Sequence, residues 1–531
     1  MYATARTVSL AGSVGHVVDV QVDVSAGLIA AVMVGRPDQA ITESRDRCRT
    51  AVQNSGFEWP TTRRMTILLS PADLPKRGSH FDLAIAVGVV VAGDPKLAKE
   101  VKLDGDIFIG ELTLDGRLRS AAGVLPMVMA ARARGCTRVF VPEPQAAEAM
   151  MVTGVGVIGV RSLAQVMAVL TGEDLPEAPP VEAPTAAPLL AWVEGSVGEQ
   201  VDYADVFGMA DARFGLEVAA AGGHHLMLTG PKGAGKTTLA ERLPTILPDL
   251  RADEALELTA VHSLAGALPP GAELMTRPPF RAPHHSASRS AVLGGGAGRV
   301  RPGEISKSHL GILFLDEFPL FPIDVIEALR EPLESGLIRL SRGEEDALFP
   351  ARAIVVLGCN PCPCGEFSAT RPDHRCECGE VRRREYRRKL QGPVLDRIDI
   401  TRHVEPLRPH EFSSTFGVPE SSADMAERVV DARARQRRRL ADDPWRLNAH
   451  VPGPVLKERW PLDDESNGRL RAEVLSGALT QRGGVRVHRL ALTVADLAER
   501  DRPTIADLET ALRLRSGEPL ELRSLAERGV A

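Results

Sequence analysis

The first part of the chain alternates apolar and polar residues with the two-residue period of β-strands. The opening stretch, "MYATARTVSLAGSVGHVVDVQVDV", follows this period. Further along, "RMTILLSPADL" and "RVFVPEP" predict strands that end in turns, whereas "VLPMVMAARARG" predicts a helix with Gly135 beyond its end. We therefore expect a mixed α/β domain over residues 1–170.

A second pattern begins at Thr171, where "TGEDLPEAPPVEAPTAAP" is rich in proline, alanine and glutamate. This composition predicts an extended, poorly packed linker over 171–190. Beyond it, "HHLMLTGPKGAGKTTLAERLPTIL" has the order strand, loop, helix of a parallel α/β sheet, expected over 191–405. Apolar residues then recur every three or four positions in "SSADMAERVVDARARQRRRL" and "RVHRLALTVADLAERD", which predicts a helical domain over 406–531. The fold class of the whole chain is α/β.

The composition of the 531 residues is that of a globular protein. A net charge of −6 neither requires nor excludes a nucleic-acid partner, and 4% aromatic residues are too few for extensive base-stacking platforms. The N-terminus lacks the pattern of a secretory peptide, and the longest apolar run, Leu83–Gly93, is about half the length of a membrane span. We expect a cytoplasmic protein without membrane contact.

The segment "GPKGAGKT" at 230–237 fits the pattern G-x-x-x-x-G-K-[ST]. Its glycines let backbone N–H groups surround phosphate oxygens, the lysine supplies charge to the β- and γ-phosphates, and the threonine hydroxyl reaches Mg²⁺. A strand-like run precedes it and helix formers follow, so we interpret it as an ATP site rather than a simple turn. The predicted nucleotide-binding residues are Gly230, Pro231, Lys232, Gly233, Ala234, Gly235, Lys236, Thr237 and Thr238.

An acidic pair, Asp316 and Glu317, follows the apolar run Ile312–Leu315. Ligands of parallel sheets lie beyond the carboxyl ends of the strands, so Asp316 is expected to hold Mg²⁺ together with Thr237. Glu317 is expected to polarise the attacking water as a general base. Taken alone, such a pair is also typical of a helix cap, and the phosphate loop is what favours the catalytic interpretation.

Two further polar residues extend this prediction. Asn360 follows the strand-like "AIVVLGC" and is expected to sense the γ-phosphate or the attacking water, although it also fits a turn before a proline. Arg397, in "LDRIDI", is either paired with its flanking aspartates or reaches the γ-phosphate on a neighbouring subunit. We assign Glu317, Asn360 and Arg397 as catalytic residues.

The segment "LTQRGGVRVHRL" places Arg482 and Arg486 four residues apart on one helical face, with Arg489 nearby. One of them is expected to contact bound ATP and to couple hydrolysis to lid motion. We choose Arg482; the alternative is an exposed basic face.

Five of the seven cysteines lie between 359 and 380. Two close pairs, Cys362/Cys364 and Cys376/Cys378, supply the four thiolates of a tetrahedral Zn²⁺ site, with Zn–S distances of about 2.3 Å. In a reducing cytosol such a cluster indicates metal ligands rather than disulfides, although apolar packing of some thiols remains an alternative. Cys359, on the strand side, is expected to be packed.

The basic run "RRREYRRK" at 382–389 follows these cysteines. It either lines a path for DNA, whose phosphates it would neutralise, or forms a solvated helix face. The sequence favours neither interpretation.

Longer motifs now identify a family. "RPPFRAPHHSASRSAVLGGG", "RPGEISKSHLGILFLDEFP", "CNPCPCG" and "GPVLDRIDI" resemble the YifB/ComM family of magnesium-chelatase-like AAA+ ATPases. "VGRPDQAITESRDRCRTAVQNSG" and "SPADLPKRGSHFDLAIAVG" resemble the N-terminal domain of that family, which is related in fold to the Lon protease domain. The resemblance covers nearly the whole chain, and the helical third domain would be the lid of the AAA+ domain.

The resemblance implies an ATP-driven hexameric ring and, for the ComM branch, a DNA helicase that promotes branch migration during recombination of incoming DNA. It also implies that "RAPHHSASRSAVLGGG" forms an insert near the pore. There, Arg281, Arg289 and the adjacent histidines would face DNA phosphates; alternatively, His284 and His285 cap or pack the insert.

The same comparison speaks against proteolysis. Lon-type proteases use a serine nucleophile and a lysine base. The serine's place falls here on His80 and the lysine's on Leu125, while Ser79 is one residue away without an evident base. We expect a non-catalytic N-terminal domain that is a scaffold or binds DNA or a partner.

Two functions remain. The first is an ATP-hydrolysing motor on DNA, and the second is a chelatase-like or chaperone-like remodeller whose ring acts on a protein partner. Both use the same ATPase site and differ in what enters the pore.

Overall fold

The structure is a computed structural model that describes residues 1–181, 201–269, 271–296, 300–342, 345–367, 375–389, 394–405 and 419–520. The predicted linker lies partly outside these residues, from 182 to 190. Its described part is 171–181; Thr171 is the last residue of the helix Leu163–Thr171, and the remainder contains no helix or strand and is mostly exposed. Among the described residues, no helix is both long enough and apolar enough to cross a membrane.

The N-terminal region contains both strands and helices. The elements are β1 (Tyr2–Ala11), β2 (Val14–Ser25), β3 (Ala30–Val34), α1 (Gln39–Asn54), β4 (Arg64–Ser70), α2 (Asp82–Gly93), α3 (Leu97–Glu100), β5 (Asp106–Phe108), β6 (Glu111–Leu112), β7 (Leu118–Arg119), α4 (Val124–Ala133), β8 (Arg138–Pro142), α5 (Ala146–Met150), β9 (Gly156–Val160) and α6 (Leu163–Thr171).

Two sheets organise this region. One has the order β1-β2-β4-β3, and its first ladder is antiparallel from Tyr2↔Asp23 to Ala11↔Val14, which confirms the predicted strands. The other is the parallel sheet β5-β8-β9. The longest apolar run of the sequence forms α2, which is buried from Asp82 to Ala92. A helix that is apolar on all sides belongs in a core, and α2 packs on β1, β2 and α1.

The central region carries the parallel sheet that the glycine loop predicted. Its elements are α7 (Ala210–Gly222), β10 (Leu226–Thr229), α8 (Lys236–Arg242), α9 (Ala252–Ala265), β11 (Phe280–Arg281), α10 (Arg289–Leu293), β12 (Gly294–Gly295), β13 (Arg301–Pro302), α11 (Glu304–Lys307), β14 (Ile312–Leu315), α12 (Ile323–Ala328), α13 (Pro332–Ser335), β15 (Leu337–Arg342), β16 (Glu345–Pro350), β17 (Ile354–Cys359), α14 (Glu380–Lys389) and β18 (Ile400–His403).

Five strands pair in the order β11-β14-β17-β10-β18, and every pairing is parallel. The central strands β14 and β17 are buried along their full length, as expected for a parallel sheet covered on both faces. Since all five strands run in one direction, their carboxyl ends share one edge of the sheet and their amino ends share the other. These are called the carboxyl edge and the amino edge below.

The described C-terminal residues, 419–520, are helical. The helices are α15 (Ser422–Arg439), α16 (Gly453–Arg459), α17 (Asp464–Leu475), α18 (Gln481–Leu497) and α19 (Ile505–Ser516). Buried residues of α18, including Val487 and Leu490, share one hydrophobic core with Leu226 and Ile400 of the parallel sheet. The helical region is therefore packed directly on the ATPase sheet.

The N-terminal region also packs against the central one. Val8 and Leu125 share a core with Ala260 of α9. The hairpin β15–β16 is attached at its base, where the Ser13 hydroxyl donates a 2.7 Å hydrogen bond to the Leu348 carbonyl.

Candidate ATPase site and cysteine cluster

Three strand ends bring the predicted phosphate-binding residues together at the carboxyl edge. The glycine loop follows β10, Asp316 follows β14, and Asn360 follows β17, which lies between them. The Lys236 ammonium donates to the Asn360 side-chain oxygen at 3.0 Å, and the Thr237 hydroxyl donates to a carboxylate oxygen of Asp316 at 3.1 Å. Charge, hydroxyl, carboxylate and amide thus meet in one place.

Glycines permit this close approach. Gly233 and Gly235 have φ of +75° and +94°, a region that other residues rarely adopt. A Cβ at Gly358 would lie 2.4 Å from the Asp316 carboxylate, so only glycine lets that side chain lie against β17. Glycines in the loop after β10 and in β17 therefore make this geometry possible.

Lys236 is buried although it is charged. Its side chain also donates to the carbonyls of Gly230 at 2.8 Å and Pro231 at 2.9 Å, which satisfies the ammonium within the loop. Burial lowers the pKa of Lys236, and the neighbouring Asp316 carboxylate opposes that shift. The lysine is positioned at the mouth of the loop, where a phosphate would bring further negative charge.

Glu317 has a strained backbone beside this cluster. Its φ of +50° is uncommon for a residue with a side chain, and its N–H donates to Asp316 at 2.9 Å. Its carboxylate remains partly exposed, and a carboxylate oxygen lies 3.4 Å from Nδ1 of His285. The carboxylate is therefore held outward, at the edge where water can reach it.

The contact between His285 and Glu317 was missed by sequence reasoning, which considered only packing of the insert or DNA for this histidine. The contact arises because β11 is the neighbour of β14 in the sheet and His285 follows the end of β11 by four residues. His284 does cap its own turn, through a 2.7 Å contact of Nδ1 with the Ser286 hydroxyl.

Arg397 and Arg482 lie at the amino edge, away from the phosphate loop. Arg397 precedes β18, and its Nε donates to the Glu334 carboxylate at 3.1 Å. Arg482 lies 3.1 Å from the other oxygen of Glu334. A four-residue strand is about 13 Å long, so neither guanidinium is brought to the phosphate loop of its own chain. Arg397 lowers the pKa of Glu334 by hydrogen bonding and charge.

The other two arginines of this helix serve the lid interface. Arg486 is buried and donates to Asp399 at 2.5 Å, and Arg489 donates to the Val451 carbonyl at 2.8 Å. Arg482, by contrast, is 46% exposed. Of the three arginines considered, it is the one with a guanidinium available to a ligand, at the mouth of a cavity of about 690 Å³.

The four predicted zinc ligands converge at the carboxyl edge. The sulfur atoms of Cys362, Cys364, Cys376 and Cys378 all lie within 4.8 Å of one another. Tetrahedral Zn²⁺ with Zn–S bonds of about 2.3 Å requires sulfur atoms about 3.8 Å apart. The measured 3.3 Å and 3.6 Å from Cys362 to Cys364 and Cys376 are close to that value, so the residues present fit the metal.

This cluster borders the phosphate loop. Lys232 donates its backbone N–H to the Gly365 carbonyl at 3.1 Å, one residue beyond the Cys364 ligand. Partial burial raises the pKa of Cys364, but the Glu366 backbone and the neighbouring thiols outweigh it and lower the value to about 7. Cys359 is fully buried in the core, as predicted, and burial raises the pKa of its thiol.

Tyr386 of α14 is a second residue that sequence reasoning missed. Its side chain is buried, unlike the other described side chains of the basic run, and its hydroxyl lies near the Asn360 backbone. Glu317 and Cys362 lie within electrostatic range, and burial is the main cause of its raised pKa. The basic helix therefore reaches the ATPase centre through this side chain.

In this parallel sheet the glycine loop follows β10, and the Asp-Glu pair follows β14, which is two strands away from β10. This arrangement defines the class of P-loop ATPases. The family comparisons narrow this class. The model described as "Magnesium chelatase, subunit ChlI" matches residues 202–412. "Subunit ChlI of Mg-chelatase" matches 20–145, and "Magnesium chelatase, subunit ChlI C-terminal" matches 419–515.

Two curated relatives match along most of their length. YifB of Escherichia coli is 39% identical over 501 residues, which cover 94% of each chain. The competence protein ComM of Haemophilus influenzae is 36% identical over 485 residues, covering 90% of this chain and 91% of ComM. The chain belongs to the YifB/ComM family of magnesium-chelatase-like AAA+ ATPases. Membership implies ATP and Mg²⁺ as ligands.

A further, weaker match is to a Lon protease. Lon protease 2 of Bacillus subtilis is 23% identical over 169 residues, which cover 29% of this chain and 30% of the protease. With the α/β sheets described above, the chain combines a Lon-like domain, an AAA+ domain and a helical lid. His80 and Leu125, which stand at the expected nucleophile and base positions, are both buried.

Proposed function

We propose that the protein is a ring-forming AAA+ ATPase that couples ATP hydrolysis to DNA remodelling, as a branch-migration helicase in recombination of incoming DNA. The observation that carries this proposal is the convergence of Lys236, Thr237, Asp316 and Asn360 at one edge of the sheet. The relative named as a competence protein supports incoming DNA as the substrate.

Each residue of the site has a chemical role in this proposal. Lys236 and the loop N–H groups hold the β- and γ-phosphates, while Thr237 and Asp316 supply oxygen ligands for Mg²⁺, which would neutralise phosphate charge. Glu317 accepts a proton from the attacking water, and Asn360 orients that water or the γ-phosphate. His285, 3.4 Å from Glu317, positions the carboxylate.

The arginines act across a subunit boundary. Arg397 and Arg482 share Glu334 at the amino edge, so a neighbouring copy must bring its phosphates to them. A head-to-tail interface that repeats in this way closes into a ring, and we propose a hexamer. Arg397 stabilises charge in the transition state, and Arg482 contacts the same nucleotide.

Zn²⁺ is proposed as a structural ion on the four cysteine thiolates, where it fixes the loop that borders Lys232. We also propose a cytoplasmic location, because clustered thiolates that hold a metal are typical of a reducing compartment. The N-terminal domain is proposed to be non-proteolytic, because neither His80 nor Leu125 offers a serine nucleophile or a lysine base. The proposed domains are 1–170, 191–405 and 406–531, with a linker at 171–190.

The alternative is a remodeller that acts on a protein partner, as a chelatase or chaperone does. The matching family descriptions, which name a chelatase subunit, favour it. The two proposals share the ATPase site and differ in the ligand that stimulates it.

The test is an ATPase assay across single-stranded, duplex and branched DNA at increasing salt. We expect stimulation that salt abolishes, since phosphate contacts release counterions. The Glu317→Gln variant should bind ATP but lose about 100-fold or more of its turnover. An unchanged rate with every DNA, together with stimulation by a protein partner, would overturn the DNA proposal; normal turnover of the variant would overturn the role of Glu317.

A further inference from the structure

The basic run of the sequence forms α14, a helix with two distinct faces. Six of its ten residues are basic and two are acidic. Arg384 and Arg388 are one turn apart on the face opposite the buried Tyr386, and both are exposed, as is Arg382 near the helix start. None of these three arginines has a salt-bridge partner within the described ranges.

The chemistry of the outer face favours phosphates over an apolar partner. Its exposed residues are charged except for Val381, so it offers little apolar area to a protein interface. Guanidinium groups without acidic partners are suited to phosphate oxygens, which they bind through two parallel hydrogen bonds.

The inner face of α14 is anchored next to the ATPase centre. Tyr386 is buried with its hydroxyl near the Asn360 backbone, and the Arg383 guanidinium stacks 4.3 Å from the centre of the Phe367 ring. Movement of the helix along its axis would displace Tyr386, and with it the backbone of Asn360.

The cysteine cluster attaches the same helix a second time. Cys378 lies two residues before the start of α14, and Cys362 lies two residues after Asn360. Their sulfur atoms belong to one cluster, so the start of the helix and the loop after Asn360 are held together. The helix is thus connected to the loop after Asn360 at two points. Cys378 connects it just before its first turn, and Tyr386 connects it in its second half.

We propose that α14 binds nucleic-acid phosphates through Arg382, Arg384 and Arg388 and transmits this binding to the ATPase centre through Tyr386. Tyr386 is a positioning residue that acts through Asn360. The inference rests on the proposed DNA-dependent ATPase and assigns the surface that senses the DNA.

The first test measures the affinity for a single-stranded oligonucleotide as a function of salt. Changing Arg382, Arg384 and Arg388 together to alanine should weaken binding about tenfold or more and reduce the salt slope by about 2. The matching lysine triple variant keeps the charges and should retain most of the affinity. Arg437→Ala with Arg438→Ala, on the exposed end of α15, is the control that should bind normally.

Three results would overturn the binding surface. In the first, the alanine triple variant binds the oligonucleotide with unchanged affinity and salt slope. In the second, the α15 control loses as much affinity as the alanine triple variant. In the third, polyglutamate displaces the labelled oligonucleotide from the protein as effectively as unlabelled oligonucleotide does. The last result would indicate an acidic protein partner. Thermal melting of each variant identifies any loss of affinity that is caused by unfolding. If the alanine variant is unfolded, the affinity of the folded lysine variant decides whether the positive charges bind the oligonucleotide.

The second test measures the ratio of the DNA-stimulated to the basal ATPase rate. Tyr386→Phe removes only the hydroxyl, so the ratio should fall severalfold while DNA affinity is retained. A merely structural role would change both rates together and leave the ratio unchanged, which would overturn the inference. If DNA neither binds to the wild-type protein nor stimulates it, the proposed function itself fails; if DNA stimulates wild type and all variants equally, only this inference fails.

Discussion

The two edges of the ATPase sheet differ in how complete they are within one chain. At the carboxyl edge, Lys236 contacts Asn360 and Thr237 contacts Asp316. The groups that bind a magnesium nucleotide therefore already lie together in one chain. At the amino edge, Arg397 and Arg482 share the carboxylate of Glu334, Arg482 also lies 3.8 Å from Asp396, and neither arginine lies beside the glycine loop of its own chain.

This difference separates binding from hydrolysis. A single chain has the groups to hold ATP, whereas the arginine that would stabilise the transition state faces away from that ATP. Under the proposed function, hydrolysis needs the amino edge of one copy against the carboxyl edge of the next, and assembly of the ring therefore switches on turnover.

Removal of Arg397 should have the largest effect on the difference between the two edges. Arg397→Ala should lower the hydrolysis rate about 1,000-fold while ATP affinity stays within about threefold of wild type, because an arginine acting in trans contributes to the transition state and not to ground-state binding. Single-turnover rates and nucleotide titration measure the two effects. Arg397→Lys, which keeps a charge but not the planar fork, should recover only part of the rate. A loss of ATP affinity as large as the loss of rate would contradict the comparison.

Metal removal tests the carboxyl edge alone. Chelation of Zn²⁺, or Cys362→Ser, should weaken ATP binding about tenfold, because the Gly365 carbonyl that holds Lys232 is then less firmly fixed. Metal analysis should find about one Zn²⁺ per chain of the wild-type protein. Cys136→Ser, at a buried cysteine in the N-terminal region, is the control that should leave metal content unchanged. Protein purified without chelators and found free of zinc would contradict this prediction.

Acid should weaken the packing around two buried histidines by a smaller amount. Burial lowers the pKa of His225 and of His488 to about 4, and the Val355 N–H donates to Nδ1 of His225, which requires the neutral ring. Below pH 6.5 only the unfolded chain takes up these protons, so the free energy of unfolding falls by up to about 1.4 kcal/mol per pH unit for each histidine until about pH 4.

Denaturant melts at pH 7.5, 6 and 5 measure this slope. The His488→Gln variant has no proton to bind at this position and should show a shallower dependence. Asp399, whose pKa is lowered well below its usual value despite burial, contributes only at more acidic pH and does not affect this window. A free energy that is unchanged between pH 7.5 and 5 would mean that these rings are not buried in the neutral form.

The local parts of the site were predictable from sequence because each is encoded within a few residues. The glycine loop, the strand Ile312–Leu315 with its acidic tip, and the strand before Asn360 all lie where the hydrophobic pattern places them. Parallel strands then bring their ends together whatever the intervening sequence, so the meeting of Lys236 with Asn360 follows from the fold class.

The remaining contacts depend on tertiary packing. The contact of Glu334 with both Arg397 and Arg482 joins a short helix, the loop before β18 and the lid, which no local pattern relates. Tyr386 appeared to belong to a uniformly basic run, and only the packed helix reveals it as the inner residue. The edge on which Arg397 lies was partly predictable from sequence, because Arg397 precedes the strand in "DITRH" and does not follow it.

A mixture of two inactive variants shows whether neighbouring copies build one active site between them. Glu317→Gln retains Arg397, and Arg397→Ala retains Glu317, so a mixed ring contains complete sites at about a quarter of its interfaces if assembly is random. We predict that the mixture hydrolyses ATP well above the summed rates of the separate preparations. If tagged chains show that mixed assemblies form and the rate stays at that sum, the two edges do not build one site between neighbouring copies.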